Sequence, residues 1–317
     1  MDYDFIDYLA AKKPIDDRSL NQTVFRALTR TLKRQEKTHT PLRVIEVGAG
    51  IGTMIERLLE WQLWQECRYT AVDRSAANLT EAVERLQRWA KIRRHSCRTP
   101  DHKTVVLVNQ SGTTTVKFRQ ADVYEFLRRS QGQKLWDLVV AHAFMDLVDL
   151  TEVLNLFCRI VRTGGWLYLT INFDGETILL PEVDPVFDRH VIDAYHRSMD
   201  ERRIDGRPSG SSRTGRQLFE ALNRCGASII RAGSSDWVVH PVNHAYTPEE
   251  SYFLHYILFT IYSALEDKPD VDQRHLAHWQ EIRHRQVDRG ELVYVARQLD
   301  FLARVGSADE DKGLAQK

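Results

Sequence analysis

Hydrophobic positions recur along the chain with two periods, and their order of alternation outlines the architecture. Leu20, Val24, Leu28 and Leu32 fall on every fourth residue and predict one apolar helical stripe in a helical segment over residues 1–38. "LRVIEV" is a continuous apolar run broken only by Glu46 near its end, as in a strand buried on both faces. The helix after it places Met54, Leu58 and Leu59 on one side. "CRYTAVD" is a second strand ending at Asp73, and a helix from Ser75 buries Leu79, Val83, Leu86 and Ala90. "KTVVLVNQSGTTTVKFRQAD" gives two β-rich runs about an Asn-Gln-Ser-Gly turn, a hairpin-like extension of the third strand. "LWDLVVAH" is a fourth strand. "TEVLNLFCRIVRTGG" is a helix stopped by Gly164-Gly165, and "WLYLTINF" is a fifth strand. Five strand–helix alternations predict a doubly wound α/β domain with a mainly parallel sheet.

Beyond Phe173 the rhythm changes. Asp184-Pro185 starts a helix carrying Phe187, Val191, Tyr195 and Met199, and "RIDGRPSGSS" reads as a mobile polar loop. Thr214 and Gln217 fit a capping box, as do Thr247 and Glu250. "ASIIRAGSSDWVVHP" supplies a sixth strand. The helix after Thr247 is apolar nearly all round, suiting a buried element or a pocket wall. "ELVYVARQLDFLARV" reads as the last strand, with a helix from Ala296 as the alternative. The plan is a cofactor-binding core over 39–173, continued at 213–244 and closed by a strand at 290–305. Helical insertions at 174–212 (a lid) and 245–289 join residues 1–38 as a cap, and 306–317 form a disordered tail.

Composition narrows the class. Lys+Arg and Asp+Glu both number 44, so a basic excess for holding phosphates is lacking and a nucleic-acid substrate is disfavoured. The most basic stretch, "RLQRWAKIRRHSCR", interleaves with an apolar face and reads as a solvated helix surface. Cys67, Cys97, Cys158 and Cys225 are spread along the sequence without a CxxC pair, as expected of reduced, mostly buried thiols. The acidic start and the absence of a long apolar run predict a soluble, cytoplasmic protein without a membrane partner. A homodimer is left open.

The turn after the first strand carries the chemistry. A dinucleotide turn is G-x-G-x-x-G, with a helix N-terminus on the pyrophosphate. Here the order is Glu46-Val47-Gly48-Ala49-Gly50-Ile51-Gly52-Thr53, with the third glycine one position early and Thr53 where glycine is needed. Three glycines let the backbone turn tightly and let a ligand approach. Glu46 is ill placed against a pyrophosphate and suits a ligand bearing a cationic amine.

With Asp73 and Asp122 at the ends of the next two strands, this pattern resembles the Rossmann-like S-adenosylmethionine-dependent methyltransferases. The resemblance covers residues 40–173 well and 213–305 in topology. It implies a doubly wound, seven-stranded, mainly parallel sheet with helical insertions as a cap, and S-adenosylmethionine as cofactor. It places Gly48, Ala49, Gly50 and Gly52 against the methionine part. Asp73 would bind both ribose hydroxyls, with Arg74 beside it. Asp122 would contact the adenine amino group, with Val123 offering a backbone amide. The loop "AHAFMD", His142 to Asp146, would lie beside the methyl group.

Methyl transfer is an in-line displacement, so catalysis rests on alignment and, where needed, removal of a proton. His142 is a candidate base, or it holds the loop or touches the cofactor. Asp146 could orient His142, bind substrate or cap a helix. Asn172 and Asp174, beyond the fifth strand, point to the same cleft as substrate ligands, with Asp174 also a catalytic candidate. Tyr195 in the first insertion and Arg213 before the next helix are further substrate candidates. Glu182, Asp184, Asp188, His190 and His196 share that insertion. His240-x-x-x-His244 lacks a third ligand, so no metal is expected. By family resemblance, the lack of an Asn/Asp-Pro-Pro-Tyr-like motif and of a Pro-Cys nucleophile disfavours nucleic-acid bases. The expectation is a small-molecule O-, N- or C-methyltransferase. The alternatives are another group transfer from the same cofactor, such as aminopropyl or carboxymethyl transfer, and a non-catalytic binding protein.

Overall fold

A computed structural model of the chain describes residues 3–35, 41–109, 112–133, 135–204 and 206–306. Two helices come first, α1 (Phe5–Ser19) and α2 (Gln22–Gln35). The core then alternates β1 (Leu42–Val47), α3 (Thr53–Glu60), β2 (Glu66–Asp73) and α4 (Ala76–Ile92). Three strands follow, β3 (Ser96–Asp101), β4 (Thr104–Asn109) and β5 (Gly112–Gln120), then α5 (Val123–Arg129), β6 (Trp136–His142) and α6 (Leu150–Ile160). After these come β7 (Val161–Leu180), α7 (Pro185–Glu201), the short pair β8 (Arg203–Ile204) and β9 (Arg207–Pro208), and α8 (Thr214–Arg224). The chain closes with β10 (Ala227–Ser234), β11 (Trp237–Val239), α9 (Pro248–Leu265), α10 (Gln273–Asp288) and β12 (Val293–Val305).

The main sheet runs in the order β10-β12-β7-β6-β1-β2-β5-β4-β3, with β11 paired to β12. Pairings among β7, β6, β1, β2 and β5 are all parallel, while β12 is antiparallel to β7 and to β10. The chain fills the sheet from β1 to β5 in one direction and from β6 outward in the other. The order therefore reverses between β1 and β6, where an open α/β sheet forms its ligand crevice. The seven expected strands run from β10 at one edge to β5; β4 and β3 extend the sheet beyond β5, and β11 pairs with β12. Val24, Leu28 and Leu32 of α2 pack with α3 and α4 on one face. Helices α5, α6 and α8 cover the other face. A third apolar cluster joins α1, α7, α9 and α10, the helices expected to form a cap, to the far ends of β7 and β12.

Several local expectations change. Helix α6 ends at Ile160, before Gly164-Gly165, and β7 begins at once at Val161. Strand β7 continues through 174–180, because β12 pairs with it as far as Leu180. The insertion after Phe173 therefore starts as strand. Thr214 does not cap α8: its hydroxyl donates to the Ser211 carbonyl and Arg213 is the N-cap residue. The Thr247–Glu250 box forms as expected. The stretch 227–239 makes two strands, and 293–305 is strand throughout.

The loop expected to be mobile is anchored among its described residues. The Ser209 hydroxyl donates to the Leu147 carbonyl (2.7 Å), and Ser212 donates twice to Asp200. Only Cys67 of the four cysteines is buried, and the fold brings Cys158 and Cys225 to 3.0 Å between sulfurs. Half of the basic stretch is paired, with Arg85 on Glu56, Arg88 on Glu81 and Arg93 on Glu60. The tail expected at 306–317 lies outside the described residues beyond Gly306, as do residues 36–38 of the first segment. Among the described residues, no helix is long and apolar enough to cross a membrane.

The cap is pinned by one buried polar group. Asp188 Oδ1 accepts from the Trp279 indole (2.5 Å) and from Arg283 (2.7 Å), while Oδ2 accepts the Val183 N–H (2.8 Å). Arg283 is wholly buried and also donates to the Pro181 carbonyl. Removing one partner of a buried ion pair strands the other charge, at a cost of about 3–5 kcal/mol. Asp188→Ala is expected to lower the unfolding free energy by about that amount in a urea titration. A loss below about 1 kcal/mol, typical of an exposed pair, would contradict this role.

Candidate cofactor and active site

The glycine turn is built as the sequence requires. Gly48, Gly50 and Gly52 all adopt positive φ, at 65°, 51° and 78°. A side chain on Gly48 would place Cβ 2.3 Å from Cδ2 of Phe144, a ring carried by the β6 loop. The turn is held from β2: the Ala49 N–H donates to the Val72 carbonyl (3.0 Å) and the Gly50 N–H to Asp73 Oδ2 (2.8 Å). Asp73 Oδ1 accepts from the Ser75 N–H (2.8 Å). A carboxylate has about four lone-pair sites, so this buried group keeps capacity for a ligand hydroxyl.

Beside it, β5 runs parallel to β2 with Gln120 opposite Asp73, and the Ala121 N–H donates to the Asp73 carbonyl (3.0 Å). Asp122 follows, exposed, with Oδ1 capping α5 through the Glu125 N–H and Val123 buried behind it. Arg74 is exposed next to Asp73. The strand ends thus bring together a glycine cradle and two carboxylates with acceptor capacity. These residues fit a ligand with vicinal hydroxyls and an amino-bearing base.

Glu46 follows the alternation of β1. Val44 and Glu46 face the α3 side, and Ile45 and Val47 face the other. Its carboxyl is buried and accepts from the Tyr69 hydroxyl (2.8 Å). Burial drives its pKa up to about 8, with Tyr69 and Arg57 opposing and Asp73 reinforcing. The group is therefore largely protonated at neutral pH, and a cation brought beside it would favour release of that proton.

Residues outside the expected set dominate the polar interior. Asp16 on α1 is buried, with Oδ2 accepting from Lys12 (2.7 Å) and Arg57 (3.4 Å) and Oδ1 from the Trp237 indole (2.9 Å). His142 Nε2 lies 2.9 Å from Asp16 Oδ2 and 3.0 Å from Arg57 Nη1, and its Nδ1 lies 2.8 Å from the Thr170 hydroxyl. With Nε2–H donating to Asp16, the Thr170 hydroxyl donates to Nδ1, and the Arg57 guanidinium, itself only a donor, lies beside Nε2 without a hydrogen bond to it. Burial opposes ionisation of Asp16, but Lys12, His142 and Arg57 outweigh it and hold the carboxyl far below its ordinary range. Burial lowers the His142 pKa to about 4 against the pull of Asp16, so the imidazole is neutral. Arg57 also reaches Asp17 and the Lys13 carbonyl. Both ring nitrogens of His142 are thus engaged inside the protein.

Asp146 differs from these. It sits in a single 3₁₀ turn, Met145–Leu147, after β6; its Oδ1 is buried without a partner, and burial raises its pKa. Asn172 on β7 donates to the Leu299 carbonyl (2.7 Å), while its Oδ1 is buried and unpartnered. Asp174 is committed elsewhere: Arg216 donates to it from backbone and guanidinium, and Arg297 adds an ion pair. Arg213 is exposed at the start of α8.

In α7, Tyr195 is half-buried in the cap cluster. Asp184 caps that helix, His190 contacts the Asp270 carbonyl, His196 contacts Thr177, and Glu182 is exposed. Among the described residues, no group of three or more His, Cys, Asp and Glu could hold a metal. Lys12, Asp16, Arg57, Phe144 and Trp237 went unread in the sequence. The one signal was Arg57, placed between Met54 and the Leu58-Leu59 pair that face the core.

The sequence profile of the methyltransferase-domain family matches residues 18–202, more than half of the 317-residue chain. The chain belongs to that family, whose methyl donor is S-adenosylmethionine. No functionally curated protein matches it. Among solved structures, it is similar to a putative sarcosine dimethylglycine methyltransferase from Galdieria sulphuraria. That match has 14% identity, 92% of this chain, 85% of the other and a TM-score of 0.41. An S-adenosylmethionine-dependent methyltransferase from Methanosarcina mazei matches at 13% identity, 84% and 92% coverage, and a TM-score of 0.44. A geranyl diphosphate C-methyltransferase from Streptomyces coelicolor matches at 13% identity, 88% and 78% coverage, and 0.40.

The Glu46 shift carries a pH dependence. An unfolded glutamate ionises near pH 4.5, whereas the folded group holds its proton to about pH 8. Its contribution to stability is complete below pH 4.5 and is lost as pH rises toward 8. Glu46→Gln, which keeps an acceptor for Tyr69 and cannot ionise, is expected to retain its midpoint temperature from pH 5 to 8 better than the native chain. Parallel melting curves for the two proteins across that range would contradict a neutral buried Glu46.

Proposed function

We propose that this chain transfers the methyl group of S-adenosylmethionine to a small molecule enclosed between the strand ends and the cap of α1, α7, α9 and α10. The observation that carries this reading is Asp146. Its buried, unpartnered Oδ1 sits four residues after His142, in the loop whose Phe144 ring lies against Gly48. A buried carboxylate oxygen without a donor costs free energy, which a hydroxyl or amine on an incoming acceptor would relieve. The unpartnered Asn172 Oδ1, two residues past the Thr170 that pairs with His142 on the adjacent strand, offers a second acceptor.

S-adenosylmethionine supplies an electrophilic methyl carbon when bound. The glycine turn, Asp73 and the Asp122–Val123 step would hold it, with Ala49 and Arg74 flanking and Glu46 beneath. Asp146 would then orient the acceptor for in-line attack and take its proton, a task suited to a carboxylate whose pKa is already raised. In this reading His142 is a positioning residue, because both its ring nitrogens serve Thr170 and Asp16. Tyr195 belongs to the chamber wall, and Arg213 and Asp174 to its outer rim. The cap would exclude water around the reacting atoms.

Fractionated metabolite extracts incubated with protein and S-adenosylmethionine test this by release of S-adenosylhomocysteine. The expected result is release with a low-molecular-weight fraction. Asp146→Asn should lower kcat by about 10²–10⁴-fold and leave affinity for S-adenosylmethionine intact. Release only with a macromolecular fraction would overturn the small-molecule reading, and full turnover in Asp146→Asn would overturn the role of Asp146.

A further inference from the structure

Helix α2 carries Arg26, Arg30, Lys33 and Arg34 among 14 residues and no acid, in a chain whose formal charge is zero. Arg26, Arg30 and Arg34 recur at i, i+4 and i+8, so they form one outward row opposite the buried Val24, Leu28 and Leu32. That row borders a half-open groove of about 400 Å³ between α2 and β10, the edge strand of the sheet. Arg231 on β10 faces it from the other bank, Thr23 and Thr31 add hydroxyls, and Ala27 and Ile230 supply apolar surface.

Among the described residues none of these four arginines forms an ion pair. The arginines of α4, by contrast, are tied to Glu56, Glu60 and Glu81. Among the described residues these four like charges gather without an ion-pair partner; they repel one another, and a bound anion would relieve that repulsion.

We propose that this groove binds a small phosphorylated ligand, one with two or more linked phosphoryl groups. Every cation lining it is arginine, whose planar fork gives paired hydrogen bonds to phosphate oxygens, whereas lysine offers only a point charge. Guanidiniums on both banks match an anion with oxygens on several sides, more than a single carboxylate can present. The volume falls in the range of small-molecule pockets, and the apolar patch would seat the non-phosphate part.

The groove is separate from the glycine turn. Four strand steps, β10 to β12, β7, β6 and β1, lie between them, about 19 Å at the usual spacing. This site therefore does not depend on the methyl-transfer reading.

Calorimetric titration of the full chain with inorganic tripolyphosphate tests the proposal. Arms with a single-stranded RNA oligonucleotide and with polyglutamate run alongside, at 50 and 200 mM salt. The expected result is saturable tripolyphosphate binding that weakens with salt and falls at least tenfold in Arg30→Gln/Arg231→Gln. That variant should keep the native melting temperature and affinity for S-adenosylmethionine. Absent binding, or binding unchanged by the double substitution, would overturn the site. Tighter binding of RNA or polyglutamate than of tripolyphosphate would overturn the small-ligand assignment in favour of a macromolecular partner. Equal weakening of tripolyphosphate by Lys91→Gln/Arg94→Gln on and just beyond α4 would also overturn it, as general charge attraction.

Discussion

The burial of Asp16 is the constraint on which the rest of the architecture turns. Its carboxylate comes from the first helix, before the sheet has begun, yet it sits among Lys12, Arg57, His142 and the Trp237 indole. These partners come from α1, α3, β6 and β11, so one anion joins the cap, the helix after the glycine turn and the strand end beside it. An unpaired guanidinium at the depth of Arg57 is very costly, so α1 cannot lift away without leaving a charge that the interior does not tolerate. The N-terminal segment is thereby tied to the strand end that carries His142.

The same economy of partners separates holding from reacting. Asp73 spends hydrogen bonds on Gly50 and Ser75, fixing a turn whose positive φ angles only glycine adopts without strain. Glu46 is kept neutral by burial. His142, Asp174 and Asp188 are each enclosed by partners of their own. Asp146 Oδ1 and Asn172 Oδ1, near the strand ends, are among the buried polar atoms left without a partner, as are atoms of Tyr168, Trp136, Ser235 and Gln298. Of these, the Asp146 and Asn172 oxygens stand beside the glycine turn and the end of β6, where a ligand's donors would complement them.

Much of this was legible in the sequence. The apolar runs and their four-residue and continuous patterns identify the central strands, and the spacing Gly48-Gly50-Gly52 with Glu46 distinguishes this turn from a pyrophosphate turn. Side-chain partnerships were less legible. Lys12–Asp16 and Lys13–Asp17 have the i, i+4 spacing of an exposed helix face, and only tertiary contact turns the first of them into a buried network. The run from Val161 looked helical up to Gly164-Gly165, but pairing with β12 draws it into strand. His142 has the residue type and place of a base, and its neighbours from α1 and β7 engage both of its ring nitrogens. The Asp16–His142 contact and the β7–β12 pairing join residues more than a hundred positions apart, beyond the reach of local pattern.

The central claim is that the glycine turn and Asp73 form the cofactor site, and equilibrium binding tests it most directly. Thermal melts of the native chain and of Asp73→Ala are measured with S-adenosylmethionine, S-adenosylhomocysteine and NAD. A ligand at 100-fold excess over Kd adds about 2.7 kcal/mol of stability to a protein that binds it. The account predicts such a shift for the native chain with the first two ligands, none with NAD, and loss of the shift in a folded Asp73→Ala. An unshifted native melt with both S-adenosyl ligands, or an equal shift in Asp73→Ala, would contradict it.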